Sequence, residues 1–276
     1  MIVDCHVHLN NYDDEGQDAL DRSLDQLQRA MRRNRVDIAV VLTSYTVTPG
    51  RPSTRQVVEA VRDIPNIVVV AGLDYTTFVP DALVELGDYV RDNKVRGLKL
   101  YPGYQPFYPN DARWHGAYEF AAEHRIPVMI HTGDTYARSG KLKFAHPLHV
   151  DEAAVDHPDV QFVICHLGNP WIRDTMEVVY KNPNVYTDIS GLTLGEFEDR
   201  FELFMRRQVQ EMLIYGVESS KVLYGTDWPI SSMESYLEFM DELAINEADK
   251  RRIYADNALA LYGLDPQISP FAGPRR

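Results

Sequence analysis

Two histidines one residue apart, His6 and His8, stand in the run Ile2-Val3-Asp4-Cys5-His6-Val7-His8-Leu9 near the start of the chain. On a strand, alternate residues share a face. Two residue rises of about 3.3 Å then separate the imidazoles, and both can reach one divalent cation at about 2.0–2.1 Å. His-x-His alone is a weak pattern. It gains weight because further polar groups end other short apolar runs: Lys99 and Tyr101, His131, His166 and Asp227. If those runs are strands of one barrel, His131, His166 and Asp227 converge with His6 and His8 above the barrel axis, where such folds place their sites. Five separately satisfied polar residues would require five coincidences.

The elements that must position these groups are legible as an alternation. Apolar, β-branched runs occur at Ile2–Leu9, Asp37–Thr43, Asn66–Leu73, Val95–Tyr101, Pro127–Thr132, Val160–Leu167, Asn184–Ile189 and Lys221–Thr226. Between them lie stretches with helical spacing, such as Leu20, Leu24, Leu27 and Met31, or Phe197, Phe201, Phe204 and Met205. Near-continuous runs such as Ile67–Ala71 suit strands covered on both faces. Eight strand-helix units in 276 residues predict an α/β protein, a single (β/α)8 TIM barrel spanning 1–276. A Gly-x-Gly-x-x-Gly turn after the first run is absent, which removes the main support for a dinucleotide fold. Two more helices are expected at Met233–Ala244 and Glu247–Leu261, followed by a Pro-rich tail, Asp265–Arg276, that packs on the barrel or hangs free.

Charge and composition exclude several partners. The formal net charge is -13, and no Lys/Arg stripe offers a phosphate footprint, so neither nucleic acid nor an anionic membrane is expected. The first residues do not resemble a signal peptide and no run is long enough to span a bilayer, so a cytoplasmic protein is expected. Cys5 and Cys165, the two cysteines, are too few for a disulfide framework. Each adjoins a histidine inside an apolar run, and alternation turns it to the opposite face, as a buried free thiol and not a ligand.

The segments Asp4-Cys5-His6-Val7-His8-Leu9, Gly97-Leu98-Lys99-Leu100-Tyr101-Pro102, Val128-Met129-Ile130-His131-Thr132, Ile164-Cys165-His166-Leu167-Gly168 and Tyr224-Gly225-Thr226-Asp227-Trp228-Pro229 together resemble the signature strands of the amidohydrolase superfamily. They are most similar to its amidohydrolase-related branch, which includes aminocarboxymuconate semialdehyde decarboxylase and related decarboxylases, lactonases and hydratases. The resemblance runs from the first strand to Asp256-Asn257-Ala258. It implies a metal-dependent enzyme in which His6, His8, His131 and Asp227 bind one divalent ion, with His166 beside them as an acid/base or oxyanion-stabilising group. Zinc is expected, with manganese or iron as alternatives, and imidazoles with a carboxylate suit all three. A cation with an open position activates a water and polarises a carbonyl; Asp227 then takes the proton and His166 serves what leaves.

Lys99 divides the alternatives. In two-metal members of the superfamily a lysine here is carboxylated and bridges two ions, so a second metal is expected only with that modification. The one-metal reading leaves Lys99 unmodified, paired with a substrate carboxylate or with Asp227, because a lone buried lysine carries a large desolvation cost. Tyr101, Tyr104, Trp171 and Trp228 are candidates for the pocket wall, and Asp134 and Asp188 for orienting ligands. Asp4 is expected to brace the first strand or its histidines, while His115, His124, His146, His149 and His157 are expected in packing or surface roles. Arg51, Arg138 and Arg173 are the loop arginines suited to an acid substrate.

The expected reaction is hydrolysis of a C–O or C–N bond in a small, carboxylate-bearing lactone, ester or amide. Its rival is nonoxidative decarboxylation of an unsaturated or aromatic acid, a lyase reaction, on the same metal. A barrel kept only for binding would be expected to have lost ligands, and none of the expected ones is missing. The loops Tyr101–Asp111 and Gly133–Pro147 are long enough to meet a second copy in a homo-oligomer or to cover the site. Pro102, Pro106 and Pro109 stiffen the first of them.

Overall fold

The computed structural model describes residues 1–11 and 19–271. Eight parallel strands follow one another around a single sheet: β1 (Val3–Val7), β2 (Ile38–Leu42), β3 (Ile67–Gly72), β4 (Val95–Leu100), β5 (Val128–Ile130), β6 (Phe162–Ile164), β7 (Val185–Asp188) and β8 (Val222–Leu223). Helices α1 (Ala19–Asn34), α2 (Thr54–Ala60), α3 (Ala82–Arg91), α4 (His115–His124), α5 (Leu148–Asp156), α6 (Ile172–Lys181) and α7 (Asp199–Tyr215) connect them. Helix α8 (Met233–Asp241) follows β8. This is the expected TIM barrel. No helix among the described residues is long and apolar enough to cross a membrane.

Alternation builds two apolar layers. In β2, Ile38, Val40 and Leu42 join Val3, Val68, Val70, Met129, Val163 and Leu223 inside the barrel. Ala39 and Val41 face outward into the layer that packs on Leu24, Leu27 and Met31 of α1. Helices with one apolar stripe therefore cover a sheet that is buried on both sides, as the near-continuous hydrophobic runs require.

The predicted second C-terminal helix is interrupted. Helix α9 (Glu247–Arg251) passes through a π-helical turn at Arg252–Asp256 into α10 (Asn257–Tyr262). Ala258 and Tyr262 of α10 enter the inner cluster, and the Tyr262 hydroxyl donates to Met129 Sδ at 3.2 Å. Beyond it, Ser269 donates to Asp37, the residue before β2, so the tail packs on the barrel as far as the described residues run. Positions 272–276 of the predicted tail lie outside them.

Two expectations are corrected. The buried stripe of α7 is Met205, Val209 and Met212, whereas Phe201 and Phe204 are 41% and 53% exposed. Phe201 sits in the first turn at the edge of the core, and Phe204 is rotated about 100° from Met205. The last strands are also shorter than their apolar runs. His131, His166 and Asp227 each lie beyond the end of the strand that carries them.

Candidate metal centre

The site is built on the seam that closes the barrel. Residues after β8 pair with β1: Tyr224 O accepts from Cys5 N at 3.0 Å, Trp228 O from His8 N at 2.7 Å, and His6 O from Asp227 N at 2.8 Å. Side chains from the two ends of the sequence, His6 and His8 from one and Asp227 from the other, are thereby brought to one point. Between Asp4 and Val7 the register with β2 slips, three steps in β1 facing two from Ala39 to Val41. The extra residue is a bulge, which re-aims side chains. Cys5 keeps the inward face of Val3 while Val7 is turned to the outer layer, and His6 and Cys5 lie close together at the mouth, Gly225 approaching both, which corrects the opposite-face expectation.

The nitrogens of the two histidines are fixed by what surrounds them. His8 Nδ1 lies 2.8 Å from Leu42 O, a carbonyl that only accepts, so this nitrogen carries the proton. His6 Nδ1 lies 2.9 Å from Asp188 Oδ2. Both Nε2 atoms are left bare, and both face Asp227 Oδ1, at 3.1 Å from His8 and 3.8 Å from His6. A bare nitrogen and a carboxylate oxygen at such distances need a positive charge, either a proton on the imidazole or a cation between them. Ligand atoms about 2.1 Å from one cation at tetrahedral or octahedral angles stand about 3.0–3.4 Å apart, close to this spacing. His6, His8 and Asp227 form one of two groups of mutually close donor atoms among the described residues; His6, Cys165 and His166 form the other.

Protonation follows burial and charge. Burial, reinforced by the Lys99 ammonium, pulls the His6 imidazole down to about 3. Burial also lowers His131 and His166. For Asp227 burial acts upward, but the His8, His6 and His166 imidazoles outweigh it and hold the carboxyl well below its usual range. Lowered His6, His131 and His166 imidazoles and an ionised Asp227 carboxylate are the protonation states that favour a metal. Asp4 supports this arrangement from behind, accepting from His6 N at 3.2 Å, Thr226 N at 3.0 Å and Thr226 Oγ1 at 2.6 Å. Its burial pushes the carboxyl up to about 7.

Not every sequence candidate joins the cluster. His131 belongs to neither donor group; its Nε2 lies 3.0 Å from the Asp134 carbonyl, leaving Nδ1 as the bare nitrogen. Its ring is 5.1 Å from that of His166. Asp134 thus meets a candidate ligand through its backbone and not its carboxylate. His166 sits in the 3-10 turn Cys165–Gly168 after β6, where strand alternation no longer applies, which is why Cys165 and His166 reach the same region. Burial pushes the Cys165 thiol up. Lys99, 1% exposed, donates to Cys165 Sγ at 2.7 Å, and no carboxylate among the described residues forms an ion pair with it. The expected Lys99–Asp227 pair is absent there because the lysine points beneath the mouth, toward the inner cluster that holds Cys165.

Tyr101 walls the mouth, its hydroxyl donating to Thr43 O at 2.6 Å. Its ring is 5.1 Å from Tyr45 and 6.5 Å from Tyr104, which in turn is 4.6 Å from His131. Trp171 packs on His146, and Trp228 packs on the outer layer, lining a groove with Arg29 and Arg33 of α1. His149 and His157 lie against Tyr108 and Tyr118. Arg173 pairs with Glu211 and Arg138 is exposed.

Sequence reasoning missed Tyr45, Ser190 and Gly191. The Ser190 hydroxyl lies 2.9 Å from both His6 Nδ1 and His166 Nδ1. A Cβ on Gly191 would meet His166 Nδ1 at 2.6 Å and Asp227 Oδ2 at 2.9 Å. The visible signal was a carboxylate, a hydroxyl and a glycine together at one strand mouth, Asp188-Ile189-Ser190-Gly191. His166, Leu167 and Asp227 have φ of 61°, 52° and 67°, the left-handed region that costs such residues of order 1–3 kcal/mol and recurs at functional sites.

Parallel strands in a closed barrel, with a histidine and carboxylate cluster at their C-terminal mouths, define a barrel protein with a candidate divalent-metal centre. The family model for amidohydrolases matches residues 3–264, so the chain belongs to the amidohydrolase family. It is 23% identical over 192 residues to gamma-resorcylate decarboxylase of Rhodococcus jostii, covering 59% of this chain and 55% of that protein. The chain thus spans about half the length of that curated relative. Its fold is similar to an uncharacterized TIM-barrel protein of Bordetella bronchiseptica, with a TM-score of 0.73, 20% identity and coverage of 95% and 99% of the two chains. It is similar also to a dihydroxybenzoic acid decarboxylase of Polaromonas sp. with bound manganese and the inhibitor 2-nitroresorcinol, with a TM-score of 0.69, 16% identity and coverage of 98% and 99%.

Proposed function

We propose that the chain is a metal-dependent enzyme that decarboxylates an aromatic or unsaturated carboxylic acid without an oxidant. The observation that carries the metal assignment is the pair of bare Nε2 atoms of His6 and His8 facing one Asp227 oxygen at 3.8 and 3.1 Å. These three residues fit a divalent cation, and His131, with its bare Nδ1, is the fourth candidate ligand. Nitrogen and oxygen donors suit zinc or manganese; manganese is the ion bound in the Polaromonas relative. When bound, such an ion supplies a positive centre that stabilises negative charge on a substrate oxygen.

The chain's own residues do the rest. Tyr45, Tyr101 and Tyr104 form an aromatic wall leading to His131, suited to a flat ring. The Lys99 ammonium beneath the site biases it toward an anion, such as a carboxylate. His166, with Nδ1 held by Ser190, has Nε2 free to take a proton from solvent and deliver it to the substrate carbon as the bond to carbon dioxide breaks. The decarboxylase relative supports this reaction. A second reading, hydrolysis of a lactone, ester or amide, rests on the position of the Asp227 carboxylate beside the proposed ligands His6 and His8, where it can accept a hydrogen bond from a water.

The test is to load the protein with zinc or manganese and offer hydroxybenzoates, unsaturated acids and carboxylate-bearing lactones, following carbon dioxide and acid release separately. Metal-dependent carbon dioxide release supports decarboxylation. Acid release without carbon dioxide replaces it with the hydrolytic reading, and inertness of the loaded protein toward all of them contradicts both.

A further inference from the structure

The Asp188–Ser190 segment touches both the proposed ligand His6 and the proposed proton-transfer group His166 without being either. Asp188 and Ser190 are fully buried. Asp188 Oδ1 accepts from three donors: His166 N at 2.9 Å, Ser190 N at 3.1 Å and the Ser190 hydroxyl at 2.5 Å. Two of these are backbone N–H groups, which cannot reverse their role. Oδ1 must therefore be an acceptor, and the other oxygen, Oδ2, is left to face His6 Nδ1 at 2.9 Å.

The Ser190 hydroxyl has its single proton committed to Asp188. Its lone pairs can then only accept from the two imidazole nitrogens 2.9 Å away, His6 Nδ1 and His166 Nδ1. The Ser190 carbonyl, 3.1 Å from His166 Nδ1, demands a proton there as well. Every contact consequently requires both imidazoles to be protonated on Nδ1 and bare on Nε2.

Building on the proposed metal centre, we propose that Asp188 and Ser190 are positioning residues that form a tautomer lock, setting His6 as a ligand and His166 as a proton acceptor at once. The lock has an unusual consequence for substitution. In Asp188→Asn the two backbone N–H groups retain the amide oxygen, so the amide NH2 turns to His6 Nδ1. That nitrogen must then accept, its proton moves to Nε2, and Nε2 can no longer bind a cation. In Asp188→Ala, by contrast, the Ser190 hydroxyl is released from Asp188 and can accept from His6 Nδ1 or donate to it, so nothing forces the His6 proton onto Nε2. The isosteric amide is thus the more damaging change for metal binding, while a merely structural role predicts the reverse, because alanine leaves a cavity.

The experiment measures zinc and manganese affinity of the full chain by chelator competition for wild type, Asp188→Asn, Asp188→Ala and Ser190→Ala. It is paired with nitrogen NMR of 15N-histidine-labelled, metal-free protein, which reads the tautomers directly. The expected result is Nδ1–H signals for His6 and His166 in wild type and an Nε2–H signal for His6 in Asp188→Asn. Metal affinity should fall at least 10–100-fold in Asp188→Asn and less in Asp188→Ala. Ser190→Ala should weaken binding while keeping the His6 tautomer. Asp188→Asn binding as tightly as wild type, or more tightly than Asp188→Ala, overturns the lock, as does an Nε2–H tautomer of His6 in wild type. Absence of metal binding by wild type with Nδ1–H tautomers intact would instead remove the proposed function and leave the lock standing.

Discussion

At the scale of single residues, the most telling group is Lys99. A buried ammonium whose neighbours are a thiol, Cys165 Sγ at 2.7 Å, and the Tyr101 ring at 5.3 Å, with no carboxylate beside it among the described residues, is a net burden on stability. Lys99→Met should therefore hold or raise stability, by about 1 kcal/mol or more, in urea unfolding. Any activity found for the wild type should fall sharply in the same variant. Lower stability with unchanged activity would contradict a functional lysine. The residue types at the mouth were legible in sequence because each carries its chemistry in its side chain, as His6, His8 and Asp227 do. The groups that were not legible act through geometry. The Leu42 carbonyl, which fixes the His8 tautomer, leaves no mark in the identity of residue 42. The place of Cys165, the thiol beside Lys99, was misread because strand alternation was extended past Ile164, where β6 ends.

At the scale of elements, the mouth of β7 shows how a backbone shape serves a site. Gly191 has φ of 61° and no space for a Cβ against His166 and Asp227. Gly195 has φ of 73° with nothing within 4 Å of an added Cβ. Gly195→Ala should thus pay only the left-handed backbone cost, about 1–2 kcal/mol, and keep metal affinity. Gly191→Ala adds overpacking, for a total of about 2–4 kcal/mol, and should displace His166 and Asp227 and weaken metal binding. Urea melts and chelator competition on the two variants check the contrast; equal metal affinity in both would contradict it. The existence and order of the eight strands were legible because buried parallel strands are apolar on both faces. Their ends were not, since an apolar residue fits a covered loop as well as a strand. The β1 bulge was equally hidden, because an extra residue in a ladder changes no local composition.

At the scale of the whole molecule, burial of neutral histidines couples folding to pH. His6 is held near 3 in the folded chain against a usual 6.5, and His131 and His166 are shifted the same way. Between pH 6.5 and about 3 the unfolded chain binds protons that the folded chain does not, so stability falls as pH drops through that window. Asp4, raised to about 7, acts in the opposite sense between its usual 3.8 and 7, but one carboxyl faces three imidazoles. The metal-free protein should melt several degrees lower at pH 4.5 than at pH 7, and bound metal should steepen the loss because protons compete with it. A melting temperature that rises on acidification would contradict these protonation states. The barrel itself, closed by the β1–β8 seam and packed against α10, is what carries His6, His8 and Asp227 to one point from opposite ends of the sequence. The most direct test of that convergence is metal content by elemental analysis of wild type, His8→Ala and Asp227→Ala after exchange against a zinc and manganese buffer. About one equivalent in wild type, lost in both variants while their circular dichroism stays native, is the predicted result; native-like wild type without metal, or variants that retain it, would contradict the metal centre.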